Sequence, residues 1–238
     1  MADVLLSLES ETRPLMTVFD DFLTMLVDGT TFGIDLNAGA DRILARYNTD
    51  ECRRFKAALG LFQKDFEERH EANLCPDILG EFYETHLYGK GASQRFLPWE
   101  VCRQVAKDIE YGSPNRHVEH AAADPCCGSG RLLLAHLERF GIDRLLLGID
   151  PDPLCAKMAA LNLFLKGAFI GEVMCADVTK GGDHFVFSYR LSLVPYGLIR
   201  ITERTDSMLW HFNHEVLSKH RLASDLDHGA RINVIRVK

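Results

Sequence analysis

The sequence predicts an α/β fold, a sheet of short strands alternating with helices, preceded by an N-terminal helical region. Three observations carry this prediction. Residues 121–180 alternate short apolar runs with helical segments, the pattern of βαβ units and a parallel sheet. A glycine turn, "DPCCGSGR" at 124–131, stands where the first strand passes into a helix. The first ninety residues instead carry apolar side chains at helical spacing.

The helical elements follow in order. Residues 14–28 read as a helix with Pro14 at its start and Gly29 past its end. Over 51–70, Phe55, Ala58, Leu59, Phe62 and Phe66 make one apolar face of a second helix. Asp77 caps a third, reaching Leu87. An amphipathic helix at 99–109 leads through a loop into the strands "HAAADP", "RLLLGID", "GEVMCAD" and "HFVFSYRL", with helices at 130–140 and 153–166. "GLIRIT", a helix-like stretch at 206–220 and a final "RINVIRV" close the chain. The expected domains are a helical region at 1–95 and an α/β domain at 96–238.

Composition narrows the function. The 238 residues are 47% hydrophobic and 26% charged, ordinary for a globular protein. No apolar run approaches the ~18 residues of a membrane span, and the N-terminus lacks a basic start and a cleavage site. A cytoplasmic protein with no membrane partner is expected. Seven cysteines without a CxxC pair argue against a disulfide framework or zinc site, so no metal is expected. Residues 1–90 hold 17 acidic and 9 basic side chains, against 17 and 18 in the remainder. The acidic part is therefore unsuited to direct DNA contact. Direct DNA binding by this chain is expected to be weak, or to pass through a partner subunit; a protein partner or a homo-oligomer fits the Phe-rich helical faces.

The glycine turn and two later acids point to a ligand. Gly128 and Gly130 lack Cβ atoms, so backbone N–H groups approach a ligand closely, aided by the unpaired N–H groups of the following helix. Asp150 ends the second strand, placed to accept hydrogen bonds from ribose hydroxyls. Asp177 ends the third and suits an adenine amino group. Leu133 stands where a dinucleotide turn needs a third glycine, and the lysine of a P-loop is missing. An acid at Asp124 disfavours phosphate and tolerates a cation, a charge pattern that S-adenosylmethionine fits.

These residues resemble the adenine-N6 DNA methyltransferases, specifically the modification subunits of type I restriction systems. "DILGEFYETHL" with "QRFLPWEVCRQVAKDI", then "DPCCGSGRLLLA", then "LGIDPDPLCAKMAALNLFLKG" are similar in order and spacing to that family, over roughly residues 77–180. The resemblance implies a Rossmann-like methyltransferase fold and S-adenosylmethionine as cofactor. Phe96 and Pro98 would line its methionine end. Asp124, Pro125, Cys126, Gly128 and Gly130 would hold the amino-acid part, Asp150 the ribose and Asp177 the adenine. Leu97 replaces the family's usual threonine. The family's catalytic Asn-Pro-Pro-Phe/Tyr has no counterpart, because the chain contains no Pro-Pro. Leu193-Val194-Pro195-Tyr196, sixteen residues after Asp177, is the candidate at that position, with Pro195 and Tyr196 as catalytic candidates. Two readings stay open: an enzyme methylating DNA adenine, and a relative that binds cofactor or a partner without transferring methyl. Transfer to RNA or protein is a third.

The pairs His117/His120 and His211/His214 are read as surface histidines rather than a metal site. Cys126 and Cys127 are read as turn packing, and Trp210 and Phe212 as core or partner contacts.

Overall fold

The computed structural model describes residues 1–33, 36–109, 121–180 and 184–212. His117, His120, His214, the closing "RINVIRV" and the end of the 206–220 stretch lie outside the described residues. The chain forms two compact units, Met1–Phe96 and Leu97–Lys238.

The first unit is helical: α1 (Ala2–Leu6), α2 (Leu15–Thr30), α3 (Leu36–Leu44), α4 (Thr49–Glu71) and α5 (Ile78–Phe82), the last running on into a π-helical turn at Tyr83–Leu87. The expected apolar faces form its core. Phe19 stacks on Phe82 at 4.8 Å, and Phe22 meets Phe55 and Phe62 at 6.4 and 6.0 Å. An Asn48–Glu51 capping box starts α4, each side chain accepting from the other residue's backbone N–H. The buried Asp21 accepts from Tyr47 Oη at 2.7 Å and Arg46 at 2.6 Å, which satisfies a carboxylate that would otherwise be costly to bury. Neither α1 nor α3 was anticipated from the periodicity.

The second unit opens with α6 (Trp99–Asp108) and continues β1 (Ala121–Asp124), α7 (Arg131–Phe140), β2 (Leu145–Asp150), α8 (Pro153–Leu165), β3 (Ile170–Cys175), β4 (Phe187–Leu193) and β5 (Tyr196–Ile201). The strands form one sheet in the order β1-β2-β3-β4-β5. α8 is apolar nearly all round and is buried from Leu154 to Phe164 apart from Lys157, as expected of a helix without a polar face. Cys102 and Ala106 of α6 pack on Leu132 and Ala135 of α7. Leu147, Ile149, Met174, Ala176 and Leu209 form a further cluster, with Trp210 and Phe212 packed against it.

The parallel sheet expected from the alternating pattern covers three of the five described strands. β1, β2 and β3 are parallel, but β4 is antiparallel to β3 and β5 to β4. The stretch 176–186 between β3 and β4 is shorter than the dozen or more residues that a parallel crossover takes, and a tight hairpin sets β5: Leu193 pairs with Tyr196, leaving Val194 and Pro195 as a two-residue turn. Glu172, fully buried on β3, ties this hairpin down. Its cross-strand partner is Arg190, whose guanidinium lies 3.6 Å away. Its carboxylate also accepts from Ser188 Oγ at 2.7 Å, from Ser207 Oγ and from the Met208 N–H at 3.1 Å. One side chain thus fastens β4 and the residues after β5 to β3.

Removing that acceptor takes the carboxylate partner from two buried hydroxyls, a backbone N–H and the Arg190 guanidinium. Glu172→Ala is expected to lower stability by roughly 3–5 kcal/mol. Glu172→Gln, which keeps an oxygen acceptor, is expected to lose about half as much. Urea unfolding midpoints check both; an Ala variant within about 1 kcal/mol of wild type would show that the network contributes little.

Candidate functional site

The site is built at the C-terminal edge of the parallel strands. Asp124 is the last residue of β1, Asp150 the last of β2, and Asp177 stands two residues past the end of β3. Pro125 follows Asp124 without an N–H to continue the ladder, and the chain enters the turn. Gly128 and Gly130 have φ of +53° and +89°, left-handed values that glycine adopts without strain. A Cβ on Gly130 would also meet the α8 backbone at Ala159, 3.2 Å away. Asn162 of α8 donates to the Ser129 carbonyl at 2.9 Å, fastening the turn to that helix. Beyond the turn, the buried Arg131 donates to the Leu97 carbonyl at 3.3 Å. The segment before α6 is thereby held against the start of α7.

Asp150 joins the parts. One carboxylate oxygen accepts from the Gly128 N–H at 2.9 Å, the other from the Asp152 N–H at 2.9 Å. The residue is only 2% exposed. Asp152 in turn caps α8, accepting from the Leu154 N–H. Asp124 accepts from the Cys126 N–H at 3.1 Å and forms no ion pair among the described residues. Burial, then the neighbouring Asp150 charge, pushes its carboxyl up to about 6, against the opposing pull of the Cys126 N–H. Asp177 differs: its carboxylate accepts from the Thr179 hydroxyl at 2.6 Å and the Thr179 N–H at 3.0 Å, with Lys180 3.4 Å away. Those contacts hold it below the usual carboxylate range.

The three acids stand at the same edge of adjacent strands, and Cys126 lies in the turn beside them. Its thiol is pushed up by burial and then by the charges of Asp124, Asp150 and Asp177 together. It is exposed, whereas Cys127 is buried with its Sγ toward Gly148. Turn packing thus describes Cys127 and not Cys126. Both thiols stay protonated, so neither is an activated nucleophile.

The other expected site residues are placed differently. Pro98 is the N-cap residue of α6. Phe96 belongs to the first unit, where its N–H donates to Glu84 at 2.7 Å and its ring lies 5.3 Å from Tyr83. Pro195 and Tyr196 are not brought to the carboxylates. Because β4 is antiparallel, Ser192 pairs with Ile170 at the start of β3, while Phe187 pairs with Cys175 at its end. The hairpin turn therefore lies at the opposite end of the sheet, roughly 17 Å along the strand direction. There Tyr196 packs on Phe164, near the end of α8, at 5.0 Å. Sequence reasoning missed Arg131 as a clamp on Leu97 and His184, whose Nδ1 accepts from the Asp177 N–H at 2.9 Å. Neither carries a sequence signal, since each partner is fixed only by the fold.

The Asp124 carboxyl makes stability depend on pH. The folded state holds this proton up to about pH 6, whereas the ordinary value is 3.8. Asp124 therefore costs no stability below about pH 4, and an increasing amount as pH rises to about 6, reaching about 3 kcal/mol above that. Asp124→Asn keeps the Oδ1 acceptor and removes the charge. It is expected to be more stable than wild type at about pH 8 and equal at about pH 4, read by thermal unfolding. A pH-independent difference would show that Asp124 has an ordinary affinity for its proton.

Residues 75–180 match the family model of the N-6 DNA methylases. Over 137 residues the chain is 28% identical to the type I restriction enzyme MjaIX methylase subunit of Methanocaldococcus jannaschii, covering 50% of this chain and 23% of that protein. The chain thus spans about a quarter of the length of that relative. No solved structure matches the chain. The glycine turn, Asp150, the start of α8 and Asp177 all fall within the matched segment, and over that segment the chain is similar to the N-6 DNA methylases and to the methylase subunit of a type I restriction enzyme.

Proposed function

We propose that this chain binds S-adenosylmethionine and serves adenine-N6 methylation of DNA, in the cytoplasm and together with a partner subunit. The observation that carries this reading is the convergence of three carboxylates, from three adjacent parallel strands, around one glycine turn. The donor set fits the cofactor. Asp124, buried beside Asp150 and raised toward neutrality, gains from a nearby cation, and the cofactor carries an ammonium and a sulfonium. A phosphate ligand would be repelled by the same charges.

When bound, S-adenosylmethionine supplies an electrophilic methyl group on its sulfonium. The residues of this chain bind and orient. Asp124 keeps its acceptor capacity for the ammonium, and the Gly128–Gly130 turn allows close backbone approach. Asp150 uses one acceptor site on each oxygen for the fold, and a carboxylate has about four such sites. The remaining ones serve the ribose hydroxyls. Asp177 accepts from the adenine amino group. In the family reading an amide oxygen aligns the target adenine. With no Pro-Pro in the sequence and the Val194–Pro195 turn at the far end of the sheet, that group is not the hairpin of this chain.

Isothermal titration with S-adenosylmethionine and S-adenosylhomocysteine tests the cofactor reading. Wild type is expected to bind both, and Asp150→Asn to bind at least about tenfold more weakly, the weight of a hydrogen bond to a charged group. Well-folded protein that binds neither ligand at millimolar concentration would contradict it. Transfer of labelled methyl to DNA adenine, by this chain with candidate partner subunits, tests the reaction.

A further inference from the structure

Asp177 lies beyond the last paired residue of β3, where the ladder no longer fixes the backbone. Local contacts fix it instead, beginning with the Lys180 N–H on its carbonyl at 3.1 Å and the Lys180 ammonium 3.4 Å from its carboxylate. The Thr179 N–H and hydroxyl hold the carboxylate through Oδ1, capping the short 3-10 turn Val178–Lys180. The His184 imidazole holds the backbone, its Nδ1 lying 2.9 Å from the Asp177 nitrogen. A backbone N–H can only donate. Nδ1 therefore carries no proton in this contact, and the ring is the neutral tautomer protonated on Nε2.

His184 is delivered from an anchored segment. Phe185 next to it packs against the cluster of Leu147, Ile149, Met174 and Ala176, and the Val186 N–H donates to the Cys175 carbonyl at 3.0 Å. The imidazole thus reaches back from the first residues of the returning chain to the Asp177 backbone. A side chain held in place before its ligand arrives spares the cost of ordering it on binding.

We propose that His184 is a positioning residue for the adenine end of the cofactor site, holding the Asp177 backbone so that its carboxylate meets the adenine amino group. This rests on the assignment of Asp177 to adenine above. His184 contacts the Asp177 backbone, so its effect is expected on adenine recognition rather than on cofactor binding in general.

The test compares wild type, His184→Ala and His184→Asn. The Asn side-chain oxygen can take the place of Nδ1 as acceptor, whereas Ala has none. Titrations use S-adenosylhomocysteine and its hypoxanthine counterpart, S-inosylhomocysteine, which lacks the amino group. The Ala variant is expected to bind S-adenosylhomocysteine about three- to tenfold more weakly, the weight of one net hydrogen bond. The Asn variant is expected to stay within about twofold of wild type, and the weaker binding of S-inosylhomocysteine to be the same in all three proteins. Nitrogen-15 spectra of the neutral imidazole provide a readout independent of the ligand and of variant folding, with the proton expected on Nε2.

An Ala variant that binds like wild type, an Asn variant as weak as Ala, an equal loss for both ligands, or a proton on Nδ1 would each overturn the positioning role. If wild type binds neither ligand, the cofactor assignment itself falls, and the positioning role with it.

Discussion

The carboxylate of Asp150 takes one backbone N–H on each oxygen, from Gly128 and from Asp152. Through these two bonds the turn after β1, the end of β2 and the start of α8 become one piece. The backbone on either side continues the connection. Cys127 N–H donates to the Ile149 carbonyl, and Ala176 N–H to the Asp150 carbonyl, at 2.9 and 3.0 Å. A buried carboxylate is tolerated when its oxygens are hydrogen-bonded, and here the bonding partners are the backbone of the turn itself. The cost appears next door. Asp124, buried within reach of that charge, is raised toward neutrality. A site whose framework is one satisfied carboxylate and whose opening is a second, strained one is suited to a cation.

The two ends of the sheet divide the molecule's roles. At the C-terminal edge of β1–β3 stand the acids and the glycine turn. At the opposite end stands the hairpin tip, where Val194 is 86% and Tyr196 64% exposed. α8 spans the two, capped by Asp152 at the acidic end and meeting Tyr196 through Phe164 at the other. The antiparallel turn after β3 makes this separation, and Glu172 maintains it by binding Arg190, Ser188 and Ser207 around one carboxylate. A hairpin folded back along β3 carries its turn away from the cofactor edge, whatever residues it contains.

The parts of this arrangement that sequence reveals are those encoded locally. The apolar periodicity of α2 and α4, the Gly128–Gly130 turn and the acids ending β1 and β2 each announce themselves within a few residues. The direction of β4 does not follow from its own pattern, since an alternating strand pairs equally well in either sense. Its signal is the short connection after β3, since 176–186 is shorter than the dozen or more residues that a parallel crossover takes. Glu172 was invisible for a different reason. One acid in "GEVMC" reads as a surface residue, and partners 16 to 36 residues onward, Ser188, Arg190, Ser207 and the Met208 N–H, make its burial tolerable. Arg131 and His184 belong with it, because what each does depends on a partner brought near by folding.

A crystal structure of the chain soaked with S-adenosylhomocysteine tests the central claim most directly, that the carboxylate edge of the parallel strands is the cofactor site. The account predicts ligand density over the Gly128–Gly130 turn, with the ammonium at Asp124, the ribose hydroxyls at Asp150 and the adenine amine at Asp177. Density at the hairpin end of the sheet or in the helical unit, with those three side chains untouched, would contradict it.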